Sequence, residues 1–295
     1  MQQENRDAAR SKIQGVVQRA GTARAPDFFG VGAEKCGTTW LWQMFRDHPD
    51  IGVPVPKELR FFAHRSLNTG FENFSALQKL LTDHRTAPRT AIFLERVATE
   101  LRIAFGGDQA YLKIFGALVG IAVGDVSPQY CMLPDDGVAH MKSLAPNAKI
   151  IFMIRDPVDR AISGGKMNAR KVHDTLTDDT VREVAMNSFQ LGMSRYSGQL
   201  DKFEKYFPGR VFTGFLEDVI AQPLALLEQL CKFLEVPFDA SYFKRLDIVS
   251  NAGSAFSAGA ALKQELFAEL RPEYHQLAER FPERVASWVA KYETI

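Results

Sequence analysis

An α/β fold, with a parallel sheet flanked by helices, is predicted for this 295-residue chain by three observations. Short apolar runs rich in β-branched residues alternate with helix-like segments from Phe28 onward, the pattern of strands joined by helical crossovers. The run KIIFMI at 149–154 is apolar almost throughout, as a strand buried on both faces must be. Two strand ends, at Val31 and Ile154, lead directly into segments suited to binding anions.

The elements follow in order. Residues 1–25 are polar, small and basic, and read as a helical or loosely ordered arm ahead of a single domain at 26–295. Asp27–Val31 opens the first buried strand, and Thr38–Asp47 is the helix leaving the following loop. The prolines of VPVPKELRFF (53–62) forbid helix, so that stretch is extended or turn-like. Phe71–Leu81 and Ile92–Phe105 have roughly helical apolar spacing, and Ala122–Val126 is a short strand. After Lys149–Ile154, Asp156 can cap and Pro157 can start a helix. A long helical region over 178–207, a strand at Arg210–Phe215 and helices near 217–234 and 259–281 complete the chain. No internal repeat or low-complexity tract interrupts it.

Composition excludes several classes. Apolar residues make up 46% and charged residues 24%, ordinary for a globular protein. A formal charge of +1 gives no global basic field, which argues against nonspecific nucleic-acid binding. Cys36, Cys131 and Cys231 lie far apart with no C-x-x-C pair, and the histidines lack ligand spacing, so neither a zinc site nor a disulfide scaffold is expected. The N-terminus carries no hydrophobic signal segment, and the longest uncharged stretch, Ile114–Gly124, is too short to span a bilayer. A reduced cytoplasm is the expected location.

The chemistry concentrates in FFGVGAEKCGTTWL (28–41). Gly32 and Gly37 are spaced as in the phosphate-binding loop G-x-x-x-x-G-K-[ST], which predicts a P-loop-type sheet. Thr38 stands where a nucleotide hydrolase carries its lysine; the lysine is Lys35, inside the loop. Backbone N–H groups and the next helix still favour an anion, but the cation is aimed at a different ligand atom. The loop resembles the 5′-phosphosulfate loop, P-K-x-G-T-T, of sulfotransferases that use 3′-phosphoadenosine 5′-phosphosulfate (PAPS). Glu34 replaces the usual proline. The resemblance implies donor contacts from Lys35, Cys36, Gly37, Thr38, Thr39 and Trp40, with both threonines on the 5′-phosphate and Lys35 at the leaving group. Cys36 reads as small filler rather than a nucleophile, having no histidine nearby in sequence.

Three further segments resemble the same family, in the right order. KELRFF (57–62) is similar to the K-E-x-H-F-F stretch of heparan-type and bacterial carbohydrate sulfotransferases. This implies that Glu58 is the general base, with Lys57 near the sulfonate. Arg60 takes the usual histidine slot, Phe61 and Phe62 read as core, and His64 competes with Glu58 for the base role. RDPVDRAIS (155–163) resembles the 3′-phosphate site, so Arg155 and Ser163 would converge on one phosphate and Arg160 would make a structural contact. GDVSPQY (124–130) is similar to the segment that shapes the site floor, with Val126 where some relatives carry lysine. Tyr196 has two readings, a wall of the adenine pocket or a core tyrosine. SNAGSAF (250–256) stands where the heparan-type branch has a lid segment.

The expected function is metal-free transfer of a sulfuryl group from PAPS to a hydroxyl or amine of a carbohydrate or small molecule, leaving adenosine 3′,5′-bisphosphate (PAP). Two alternatives stand beside it. One is a magnesium-dependent P-loop nucleotide kinase using Asp125 and Thr39 as ligands. The other is a nucleotide-binding protein without turnover.

Overall fold

A computed structural model of the chain describes residues 22–55, 57–66, 99, 106–244, 246 and 256–294. Five parallel strands form one sheet in the order β2-β3-β1-β4-β5. They are β1 Phe28–Gly32, β2 Ile51–Gly52, β3 Ala122–Val126, β4 Lys149–Ile154 and β5 Val211–Phe215. Every residue of β1 and β3 is buried, so both faces of the sheet centre are covered. β1 pairs with β3 through Phe28↔Gly124 and with β4 through Phe28↔Lys149. Gly124 is required there, because a Cβ would lie 2.5 Å from the Phe28 carbonyl oxygen.

The chain first moves from β1 to the edge strand β2, returns through β3, and then crosses β1 to add β4 and β5. The crevice between the carboxyl ends of β1 and β4 is therefore a topological switch point, where α/β folds bind ligands. Helix α1, Thr38–Asp47, leaves the β1 loop. After β2 come α2, Phe61–Ser66, and α3, at 106–116. A 3-10 turn at Pro128–Met132 follows β3 and leads to α4, Asp135–Leu144. The helix leaving β4 is α5, Pro157–Ala169.

Four of the five strands match the sequence expectation to within a residue; β2 is only two residues long and carries no period to read. The long helical region at 178–207 is three helices: α6 Asp178–Ala185, α7 Ser188–Ser194 and α8 Tyr196–Tyr206. Asn187 starts α7 by accepting a hydrogen bond from Gln190 N–H. The segment near 217–234 divides into α9, Leu216–Ala221, and α10, Pro223–Leu234, since proline belongs at a first helical turn. A final helix absent from the sequence reading, α12 Pro282–Glu293, follows α11, Ala260–Arg280. The helix expected at 71–81, all of that at 92–105 but Thr99, the arm through residue 21 and most of SNAGSAF lie outside the described residues.

The last two helices are pinned to the start of α5 by one carboxylate. Asp156 caps α5 by accepting from Val158 N–H at 3.0 Å and Asp159 N–H at 3.4 Å. It also accepts from Tyr274 Oη at 2.6 Å, Tyr292 Oη at 2.9 Å and Lys291 Nζ at 3.0 Å. Burial, then the nearby Asp159, pushes its carboxyl up, and Lys291 opposes them. Asp156→Ala should therefore cost more than the roughly 1 kcal/mol of a lost cap, reaching about 3 kcal/mol or more, because buried hydroxyls lose their acceptor. Urea unfolding of the variant checks this; a loss no larger than that of an exposed cap would contradict it.

Candidate active site

The β1 loop is shaped by two left-handed residues, Lys35 at φ 73° and Gly37 at φ 84°. Glycine adopts that conformation freely, whereas a lysine held there is strained in the way functional loops often are. The loop is braced from below. The fully buried Arg160 donates from Nε to the Glu34 carbonyl at 3.1 Å. Its Nη1 reaches Gln190 O at 2.6 Å and Ser194 Oγ at 3.3 Å, and its Nη2 reaches Gln190 Oε1 at 2.6 Å. Arg160 is thus the structural contact expected from its position.

Around this loop positive charge is in surplus. Burial lowers the Lys35 pKa most; Glu34 opposes that, and Arg155, Arg160 and Arg170 lower it further. Arg155, one residue beyond β4, lies 3.4 Å from the Lys35 carbonyl through Nη1. Ser163 lies two turns into α5 and is half-buried. Lys166, Met167 and Arg170 follow it at helical spacing, and Met167 Sδ is 3.8 Å from Lys35 Nζ. Several cations beside backbone N–H groups and a helix N-terminus fit a ligand with more than one phosphate, as PAPS has.

The second half of the site is the segment 57–60. Glu58 and Arg60 both have positive φ, 68° and 54°. Lys57 Nζ lies 2.7 Å from Glu58 Oε1 and 3.4 Å from both Thr38 Oγ1 and Thr39 Oγ1. Glu58 Oε2 accepts from Arg60 Nη2 at 2.6 Å and Nε at 3.2 Å. Burial alone would push the Glu58 carboxyl up, but the Lys57 ammonium and Arg60 guanidinium overcome it and hold it down at about 2.

A buried carboxylate supports that segment. Asp125, at the end of β3, accepts from Tyr130 Oη at 2.6 Å, Ser127 Oγ at 2.8 Å and Tyr111 Oη at 3.1 Å. The Leu59 N–H also donates to it, and the Arg60 N–H donates to Ser127 Oγ at 3.1 Å. This is the physical content of the GDVSPQY string. It also disposes of Asp125 as a magnesium ligand, since its oxygens are occupied inside the protein and Thr39 faces Lys57. Phe61 and Phe62 are core as expected: Phe61 stacks on Tyr111 at 4.3 Å, and Phe62 packs edge-on to Tyr130 at 5.4 Å.

A model of the Sulfotransferase family matches residues 26–240, nearly three quarters of the chain. The chain belongs to the sulfotransferase family. It is 23% identical over 234 residues to mouse heparan sulfate glucosamine 3-O-sulfotransferase 3B1, covering 76% of this chain and 50% of that protein, so it spans about half of that relative's length. The sulfotransferase of Alicyclobacillus acidocaldarius superposes with a TM-score of 0.62 at 25% identity, covering 89% of this chain and 98% of that one. The sulfotransferase domain of the Synechococcus PCC 7002 olefin synthase shares the fold, with a TM-score of 0.54 at 21% identity, covering 88% and 96%. The chain has the α/β fold of these proteins. Among its described residues no helix is long and apolar enough to cross a membrane.

Three residues expected beside the donor have buried side chains. Tyr196 is completely buried, its hydroxyl 3.7 Å from Cys36 Sγ and its ring against Phe152, so it supports the loop from behind. Trp40 is buried too, with Nε1 donating to Leu246 O at 3.3 Å, and Cys36 turns its side chain into the core. Any contact that Trp40 or Cys36 makes with an anion in the loop must therefore come from its backbone N–H. Lys166 was not singled out from sequence, although its spacing from Ser163 places it on the same face of α5. It donates to Phe256 O at 2.7 Å and ties the segment before α11 to the site.

Burial pushes the Cys36 thiol up to about 11, so little thiolate exists near neutral pH. Iodoacetamide at about pH 8, below the ordinary thiol range, should leave Cys36 unmodified in the folded protein and label it after denaturation. Mass spectrometry of the tryptic peptides reads this directly, and rapid labelling of the native form would contradict the packing described.

Proposed function

We propose that this sulfotransferase moves a sulfuryl group from PAPS to a hydroxyl or amine of a carbohydrate or small molecule, with Glu58 accepting the proton. The observation that carries the proposal is the place of Lys57. Its ammonium stands between the loop threonines, where a 5′-phosphate would bind, and the Glu58 carboxylate, where an acceptor would lose its proton. PAPS supplies the activated sulfuryl group and a phosphate leaving group. The remaining work falls to this chain. Lys35 and the loop N–H groups hold the leaving phosphate, where charge increases in the transition state. Arg155 and Ser163 hold the 3′-phosphate, and Thr38 and Thr39 orient the 5′-phosphate. The glucosamine in the mouse relative's name supports a carbohydrate hydroxyl as acceptor. The three buried free cysteines suit a reducing cytoplasm.

A dedicated 3′-phosphate site predicts tight binding of PAP and much weaker binding of AMP. Charge-assisted hydrogen bonds contribute roughly 1.5–3 kcal/mol each, so the gap should exceed tenfold and should largely vanish in Arg155→Ala. Calorimetry tests it, and equal affinities in the parent protein would overturn the donor assignment.

Glu58→Gln keeps shape and hydrogen bonding but removes the proton acceptor. Sulfuryl transfer from radiolabelled PAPS should fall by about 10²–10⁴ while PAP affinity is unchanged. Transfer should survive EDTA; a loss restored by magnesium would instead favour kinase-like chemistry. Collapse of His64→Ala with Glu58→Gln still active would move the base to His64.

A further inference from the structure

The resting geometry of Glu58 is unfavourable for a base, because Lys57 and Arg60 both hold its carboxylate. Both carboxylate oxygens are engaged by cations, Oε1 by Lys57 and Oε2 by two nitrogens of Arg60. Among the described residues Glu58 is the only partner of the Arg60 guanidinium, which is 26% exposed and so can be reached from the site. The backbone beneath it cannot follow: the Leu59 N–H is held by Asp125 and the Arg60 N–H by Ser127 Oγ. Any exchange of partners must therefore occur in the Arg60 side chain.

Charge balance says what the exchange requires. From its own segment Glu58 faces Lys57 and Arg60; α1 presents only the Thr38 and Thr39 hydroxyls through Lys57. Below lies Asp125, whose carboxylate is taken up by Tyr111, Ser127 and Tyr130. When Glu58 accepts a proton, Lys57 still lies beside the donor loop, but Arg60 loses its counter-charge. A half-buried guanidinium without an anion is costly, so proton transfer is uphill unless another anion takes it.

We propose that Arg60 is a specificity-determining residue that locks Glu58 in the resting enzyme and releases it to an acceptor whose reacting hydroxyl lies beside an anionic group, a carboxylate, phosphate ester or sulfate ester. The inference rests on the sulfotransferase reading above. The acceptor's anion takes the Arg60 fork, and its hydroxyl proton passes to Glu58 Oε2. The acceptor oxygen bonds to sulfur as the bond from sulfur to the 5′-phosphate oxygen breaks, its electron pair leaving on that oxygen beside Lys35. A neutral acceptor offers Arg60 nothing and leaves the base locked. Bidentate geometry makes arginine the residue suited to such an exchange.

The test follows the carboxyl carbon of Glu58 by NMR in protein labelled with ¹³C-glutamate and saturated with PAP, between about pH 3.5 and 6, where an ordinary glutamate titrates. In the parent protein the signal should be flat across that window. Methyl glucuronide, phenyl phosphate or benzoate should bring a titration step into it, whereas methyl glucoside, phenol and benzamide should not. Arg60→Gln should show the step with no probe added, and Arg60→Lys, which keeps the charge but loses the fork, should shift it less. A step already present in the parent without a probe, no response to any of the three anions, or equal responses to anions and neutral counterparts would overturn the proposal. PAP affinity on the same samples reads the donor site separately: its absence would remove the sulfotransferase reading while the Arg60–Glu58 coupling remained measurable.

Discussion

Asp125 is a carboxylate with no exposure to water, and the active-site segment depends on what it accepts. Three hydroxyls and one backbone N–H converge on it from the residue after β3, the 3-10 turn, α3 and the 57–60 stretch. Burial pushes its carboxyl up while those hydrogen bonds oppose it. Such a network is favourable only when fully satisfied, since each group left unpaired in a low-dielectric interior is costly. The site segment is thereby fixed to the end of β3, next to the β1 loop. Left-handed backbone at Glu58 and Arg60 is tolerable because the Asp125 and Ser127 bonds over-determine it.

A second buried charge performs the corresponding task for the loop. Arg160 has no solvent exposure, and its guanidinium joins the Glu34 carbonyl to Gln190 and Ser194. One carboxylate thus holds the 57–60 segment and one guanidinium the β1 loop, while Lys57 bridges them. Arg155 and Arg170 lie near enough to Lys35 to lower its pKa, with Asp159 3.9 Å from Arg155, and an anion bound among these cations would relieve that repulsion. Arranging charge before the ligand arrives is the preorganisation on which electrostatic catalysis relies.

The fold was legible because its strongest signals are local. KIIFMI is too apolar and too short for anything but a buried strand, and Asp156-Pro157 announces a helix start that is present in the fold as a cap. The loop was legible because glycine spacing reflects a backbone requirement at Gly37. What stayed open was non-local. Nothing around Tyr196 in sequence tells a pocket wall from a support, and its contact with Cys36 spans 160 positions. The break at Asn187 turns on one cap inside a continuous helical period. The Glu58–Arg60 fork was visible only as a departure from a motif, because i and i+2 in an irregular segment can point anywhere until φ is known.

The central claim is that one ligand spans the β1 loop and the end of β4, with the acceptor approaching from the side of Glu58. A crystal structure with PAP bound tests it most directly. The account predicts the 5′-phosphate within hydrogen-bonding distance of Lys35 and of the Thr38 and Thr39 hydroxyls, with the 3′-phosphate on Arg155 and Ser163. It also places Lys57 between the 5′-phosphate and Glu58. A nucleotide bound elsewhere, or one whose 3′-phosphate lies in solvent away from Arg155, would contradict it.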